Sequence, residues 1–136
     1  MTIVDKIRAS IHEATNLPVY YQSIEQINAQ LDNAHFPCAY LFLLERGRLT
    51  EDLREVVDIQ VFFVQSTTFD FIAEENERLI DQCKQLALTW LSHFGRDQYF
   101  RLNAVTTTDR VYEQFDVVLT GFAVGVTLEE LSRPCL

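Results

Sequence analysis

His35 and Cys38 stand three residues apart, a spacing that zinc sites use, and they are the first place in this sequence to look for chemistry. A closed zinc site needs a second such pair. None accompanies them, so the reading is a surface histidine beside a buried cysteine. His12 falls between the apolar positions of an N-terminal helical pattern, and His93 falls on the polar side of a later one. Asp109, Glu113 and Asp116 form the densest carboxylate cluster outside the helical segments, a set that could hold a divalent ion or serve as acid and base. Their spacing is not that of a calcium loop, and no glycine-rich phosphate cradle occurs, so they read as a solvated acidic loop. Glu74, Glu75 and Glu77 suit the positive end of a helix dipole. No serine sits in a nucleophile elbow, and Cys83 lies on an apolar stripe where a thiol is inert. No catalytic residue, cofactor or metal ligand is assigned, and the chain reads as a non-enzyme.

The elements that would position any site follow from periodicity. Asp70 to Gly95 reads as one long amphipathic helix. Leu79, Ile80, Cys83, Leu86, Ala87, Trp90, Leu91 and Phe94 recur three or four apart along it. Asp70 is placed to cap its start, and Gly95 to end it in a left-handed turn. Thr2 and Asp5 resemble a capping pair for a first helix, which stops near Asn16 because Pro18 follows. Pro18 to Tyr21 reads as a short edge strand, and Ser23 to Leu31 as a short second helix. From Pro37, Cys38 to Leu44 is nearly continuous hydrophobe, the mark of a covered central strand. Arg46–Arg48 and Thr50–Asp52 read as a polar hairpin loop, followed by a strand from Glu55 to Gln65 with Val57, Ile59, Val61 and Phe63 on one side. Phe100 onward alternates as a strand, with Asp109 to Asp116 a long hairpin or strand extension. Leu119 to Glu129 alternates Phe122, Val124, Val126 and Leu128 against Gly121, Ala123, Gly125 and Thr127. Glycine weakens a strand unless something approaches closely, so that small side expects a near neighbour.

This order predicts an α+β domain over residues 1–136: a mainly antiparallel four-stranded sheet, the long helix packed on one face, shorter N-terminal helices, and a loose tail from 130 to 136. Tyr20, Tyr21, Phe62, Val64, Tyr112 and Phe115 find no obvious place under a single helix. They point either to cover by the first two helices or to a sheet face that meets identical neighbours.

Composition narrows the function classes. The 136 residues hold 11 Lys and Arg against 20 Asp and Glu, a formal charge of −9, which disfavours tight nucleic-acid binding. The 48% hydrophobic content predicts a packed core rather than disorder. Three cysteines far apart (Cys38, Cys83, Cys135) fit a reducing compartment better than a disulfide scaffold. The N-terminus lacks the apolar core of a signal peptide, and no run approaches a membrane span, so the expectation is a cytoplasmic protein at synthesis.

The order of elements, together with Tyr112-Glu113-Gln114-Phe115-Asp116 leading into Leu119-Thr120-Gly121-Phe122-Ala123-Val124, resembles the tail terminator and tail-completion (head–tail joining) proteins of tailed bacteriophages. That resemblance implies a structural, non-catalytic homo-oligomer: a ring, commonly of six, capping the tail tube and meeting the head connector. Its partners would be tail-tube and connector proteins, and its location a bacterial cytoplasm and then the virion. An acidic lumen would let DNA pass without sticking. The residues expected at subunit or partner contacts are Arg46, Arg48, Glu51, Asp52, Asp109, Arg110, Tyr112 and Phe115, in loops from Arg46 to Asp52 and from Thr106 to Asp116, together with Phe62 on the strand from Glu55 to Gln65. The run of elements also fits a ferredoxin-like small-ligand-binding or regulatory domain with an added strand.

Overall fold

The computed structural model describes residues 2–21, 37–66, 73–114 and 119–131. Helix α1 (Ile3–Thr15) opens as the sequence reads: the Thr2 side chain accepts from the Asp5 N–H, and the Asp5 carboxylate accepts from the Thr2 N–H. These bonds from Thr2 hold the Asp5 carboxyl below its usual range. Asn16 closes the helix in the left-handed conformation at φ 59°, its N–H donating to the His12 carbonyl.

Strands β1 (Val19–Tyr21), β2 (Cys38–Leu49), β3 (Glu55–Ser66), β4 (Phe100–Gln114) and β5 (Leu119–Glu130) form a five-stranded sheet in the order β1-β2-β3-β5-β4. The α+β class is as expected; the count of four strands is not, and the antiparallel pairing expected through most of the sheet gives way at β1. The described sheet is mixed, because β1 pairs directly and in parallel with β2, while the other neighbours are antiparallel. The long helix, α2, spans Ala73–His93. Asp70, the expected cap, lies outside the described residues, as does the short helix expected from Ser23 to Leu31. Gly95 does not act as a left-handed cap: no glycine has positive φ, and the chain turns through an Arg96 N–H to His93 carbonyl bond of 2.8 Å.

Both helices lie on one face of the sheet. Ile7 and Ile11 of α1 and Ile80, Cys83, Ala87 and Trp90 of α2 pack on Ala39, Leu41, Val57, Ile59, Val61, Phe63 and the Phe122–Leu128 row of β5. Trp90 is fully buried, and its indole N–H donates to Ser10 Oγ at 3.1 Å, which fixes α1 against α2. Lys6, also buried, pairs with Glu130 at the end of β5. Glu130, expected to begin a loose tail, is strand, and the Leu131 N–H donates to the Tyr99 carbonyl at 2.9 Å; residues 132–136 lie outside the described residues.

The opposite face carries a second cluster, Cys38, Tyr40, Val64 and Leu119, with Tyr20, Phe42 and Phe62 against it. Tyr20 stacks on Tyr40 at 5.4 Å and Phe62 meets Phe42 edge-on at 5.2 Å. Three of the residues expected on an open face, Tyr20, Phe62 and Val64, are thus absorbed into packing, whereas Tyr21 is exposed. Burial pushes both the Cys38 and the Cys83 thiols up to about 12, so neither offers a thiolate nucleophile. No helix among the described residues is long and apolar enough to cross a membrane.

Candidate assembly surface

Strand β5 has its burial on both faces. Its small side is small because neighbours come close, as the alternation predicts. A Cβ on Gly121 would stand 2.0 Å from the Phe63 carbonyl oxygen, and one on Gly125 would stand 2.3 Å from Thr107 Oγ1. Strand β4, its hairpin partner, is the opposite. As the edge strand it is exposed at every position from Asn103 to Arg110, apolar Val105 included. Its register with β5 shifts at three places, between Leu102 and Ala104, Val105 and Thr107, and Val111 and Gln114. Such bulges bend an edge and restrict what can pair with it.

Helix α2 packs chiefly over β5 and β3, so β4 projects past it. Between them runs a cleft of about 420 Å³ lined by Lys84, Leu88 and Leu91 of α2 and by Thr108 and Arg110 of β4, with Phe122 and Val124 at its floor. Leu88 is exposed on the helix side of this cleft. Arg110 crosses it to pair with Glu77 of α2.

The candidate contact residues do not form one patch. The expected loop Arg46–Arg48 is strand: β2 continues to Leu49, and a register shift between Leu43 and Gly47 breaks its alternation. Arg46 lies on this part of β2, and Arg48 is exposed opposite Val56. The turn proper is Thr50–Arg54, where the Leu53 N–H donates to the Thr50 carbonyl at 2.9 Å and the Thr50 N–H to the Arg54 carbonyl at 2.8 Å. Glu51 and Asp52 are exposed at its tip, with Asp52 3.4 Å from Arg54. Arg54 reaches back to Glu129 at 3.0 Å, and Arg101 of β4 meets the same carboxylate at 3.5 Å.

Thr106 to Gln114 is likewise strand rather than loop. Asp109 and Arg110 are exposed, opposite Ala123 and Phe122. Tyr112 lies further along β4, and Phe115 and Asp116 lie outside the described residues. Phe62 is half-buried against the second cluster. Of the acidic trio, Asp109 and Glu113 lie on β4 and Asp116 lies outside the described residues, as does His35.

Register separates the two expected contact regions along the sheet. The Thr50–Arg54 turn adjoins Glu129 at one end; Asp109 and Arg110 lie level with Phe62 and Phe63, and Gln114 and Leu119 lie level with Ser66 at the other end, with β3 running from Val56 to Ser66. At about 3.3 Å per residue the ends stand roughly 30 Å apart.

Sequence reasoning passed over the apolar residues at the first end. Leu49 and Leu53 are 62% and 77% exposed, and Leu53 is held at φ 64°, a left-handed conformation that disfavours leucine. The signal was an unexplained leucine between polar turn residues. The chain matches no protein-family model, and no curated protein matches it in sequence.

Proposed function

We propose that this protein is a structural subunit of a tailed-phage or prophage particle, a non-enzymatic ring component of the tail-terminator kind that joins tail tube to head connector. The observation that carries the reading is β4: an edge strand exposed from Asn103 to Arg110, beside the cleft that holds exposed Leu88. A second copy of this chain is the occupant proposed for that edge. Contact between β4 of one copy and a different surface of the next is heterologous, the kind of contact that generates rings when the rotation closes. The three register shifts favour one shaped mate over open-ended strand addition.

Placing the neighbour at the β4 edge leaves the two ends of the sheet free for different partners. The Thr50–Arg54 tip presents Leu49 and Leu53 to one of them, and the β4–β5 end faces the other. A ring between a tube and a connector needs that polarity. The net charge of −9 suits a lumen that passes DNA without holding it. The ferredoxin-like regulatory reading gains less from the strand order. Its parallel strands are split by an intervening strand, whereas β1 and β2 pair directly.

The test is electron microscopy of the purified protein, alone and mixed with tail tubes, comparing the wild type with Val105→Lys. Rings, free or on tube ends, that are lost in the folded variant support the reading. A monomer that neither closes into rings nor binds tube ends, and that gains thermal stability from a small ligand, overturns it.

A further inference from the structure

Away from β4, at the junction of α1, the end of α2 and the segment entering β4, three side chains converge. His93 Nε2 stands 3.6 Å from Asp97 Oδ1 and 3.9 Å from Glu13 Oε2, and the three ligand atoms all lie within 4.8 Å of one another. We propose that Glu13, His93 and Asp97 form a zinc-binding site. The observation that distinguishes this set from an ordinary acidic cluster is Asp97. Its side chain is 0% exposed, yet among the described residues Oδ1 has no hydrogen-bond partner and faces His93 Nε2, which is also buried without one. An unpartnered buried carboxylate oxygen beside an unpartnered buried imidazole nitrogen is costly unless something bridges them.

The other atoms around the set hold it in place. Asp97 Oδ2 accepts from the Tyr99 and Phe100 N–H groups at 3.1 and 2.7 Å, which aims Oδ1 inward. Gln98 Nε2 donates to Glu13 Oε1 at 3.0 Å, leaving Oε2 directed at His93. These are the outer-shell bonds that orient carboxylate ligands.

One imidazole nitrogen and two carboxylate oxygens suit zinc better than calcium or magnesium, which favour oxygen alone. Ligand atoms of a tetrahedral zinc stand about 3.3 Å apart, so the set needs to draw in by about 0.3 Å between Asp97 and His93, about 0.6 Å between Glu13 and His93, and up to about 1.5 Å between the two carboxylates. Glu13, on the exposed side, has the freedom to do so. Glu13 and His93 also line a cleft of about 400 Å³ with Ala14, Thr89, Ser92 and Arg96, room for water or a small anion as a further ligand. A bound ion would tie the last turn of α1 to the end of α2 and to the start of β4. This inference does not rest on the assembly reading.

The experiment uses untagged protein, extracted with chelator and titrated with Zn²⁺ alone by calorimetry and thermal unfolding, with Mg²⁺ as control. Stoichiometric Zn²⁺ binding with a rise in Tm of several degrees, and no rise with Mg²⁺, is expected. Glu13→Gln and His93→Gln should each weaken binding by at least about tenfold, the loss that even an outer-shell partner costs. Metal-free Tm should stay near the wild type in both. Asp97 is left intact because its Oδ2 also holds backbone. Absence of stoichiometric binding overturns the proposal, as does equal Zn²⁺ affinity in His93→Gln. Nitrogen NMR showing His93 as an imidazolium between the two carboxylates, unchanged by Zn²⁺, also overturns it.

Discussion

β5 and β4 are the two arms of one hairpin, paired residue against residue, and they are built to opposite ends. β5 is buried along nearly its whole length, with large apolar side chains toward the helices and glycines where Phe63 and Thr107 press in. β4 is anchored at its start by fully buried Phe100 and at Val111, but stays exposed between them. A strand whose side chains are all committed to packing has nothing left with which to recognise a partner. β4 is tied to α2 by the Arg110–Glu77 pair and to β5 by the Arg101–Glu129 pair, but from Asn103 to Arg110 its side chains face solvent along the sheet edge. On the proposed reading, stability and association fall to adjacent strands, and substitutions should separate them.

The largest effect is expected on the buried side. Trp90→Ala removes the indole that packs on Phe63 and Phe94 and bonds Ser10, and should cost about 3–5 kcal/mol in urea unfolding. Gly121→Ala drives a methyl group into the Phe63 carbonyl and forces β3 from β5, for a loss of about 2–3 kcal/mol in the same measurement. A wild-type-like midpoint for Gly121→Ala would mean that β5 is not as closely gripped as described.

The thiols probe both faces of the sheet. In a Cys135→Ser background, Cys38 and Cys83 should resist thiol reagents at pH 8 until the protein unfolds, because burial holds each near 12. Their folded values lie above the unfolded value, so this contribution to stability is whole below the unfolded pKa and falls as pH rises toward 12. Unfolding midpoints from pH 8 to 11 should accordingly drop less steeply in Cys83→Ala than in its parent.

The exposed side should respond little in stability. Leu53→Gly relieves a left-handed leucine and should leave stability unchanged or raise it by up to about 1 kcal/mol, while weakening attachment to the partner at that end of the sheet. Val105→Lys should shift stability by less than about 0.5 kcal/mol, as surface substitutions do.

The same contrast explains what could be read from the sequence. Strands and helices packed on one side announce themselves through periodicity: the α2 stripe, the Val57–Phe63 row and the Phe122–Leu128 row all face the core as their spacing predicts. The β4 stretch from Asp109 carries a weaker period, because among its described side chains only Val111 is buried, and it reads as either a long hairpin or a strand extension; the second holds as far as Gln114. The β2 register shift ends that strand on paper at Leu44, when it runs to Leu49. The parallel β1–β2 pairing leaves no trace in either strand's composition. The Glu13, His93 and Asp97 convergence joins residues from α1, α2 and a turn, and only tertiary packing of α1 on α2 brings them together. Sequence spacing pointed instead to His35 and Cys38.

The central claim is that the exposed edge of β4 is a self-association surface, and the most direct test is solution mass across a concentration series. Wild-type protein is compared with Val105→Lys, with circular dichroism and Tm verifying that both are folded. The account predicts that the wild type rises with concentration to one closed multiple of the subunit mass, while the variant remains a folded monomer. A wild type that stays monomeric throughout, or a variant that assembles as readily as the wild type, would contradict it.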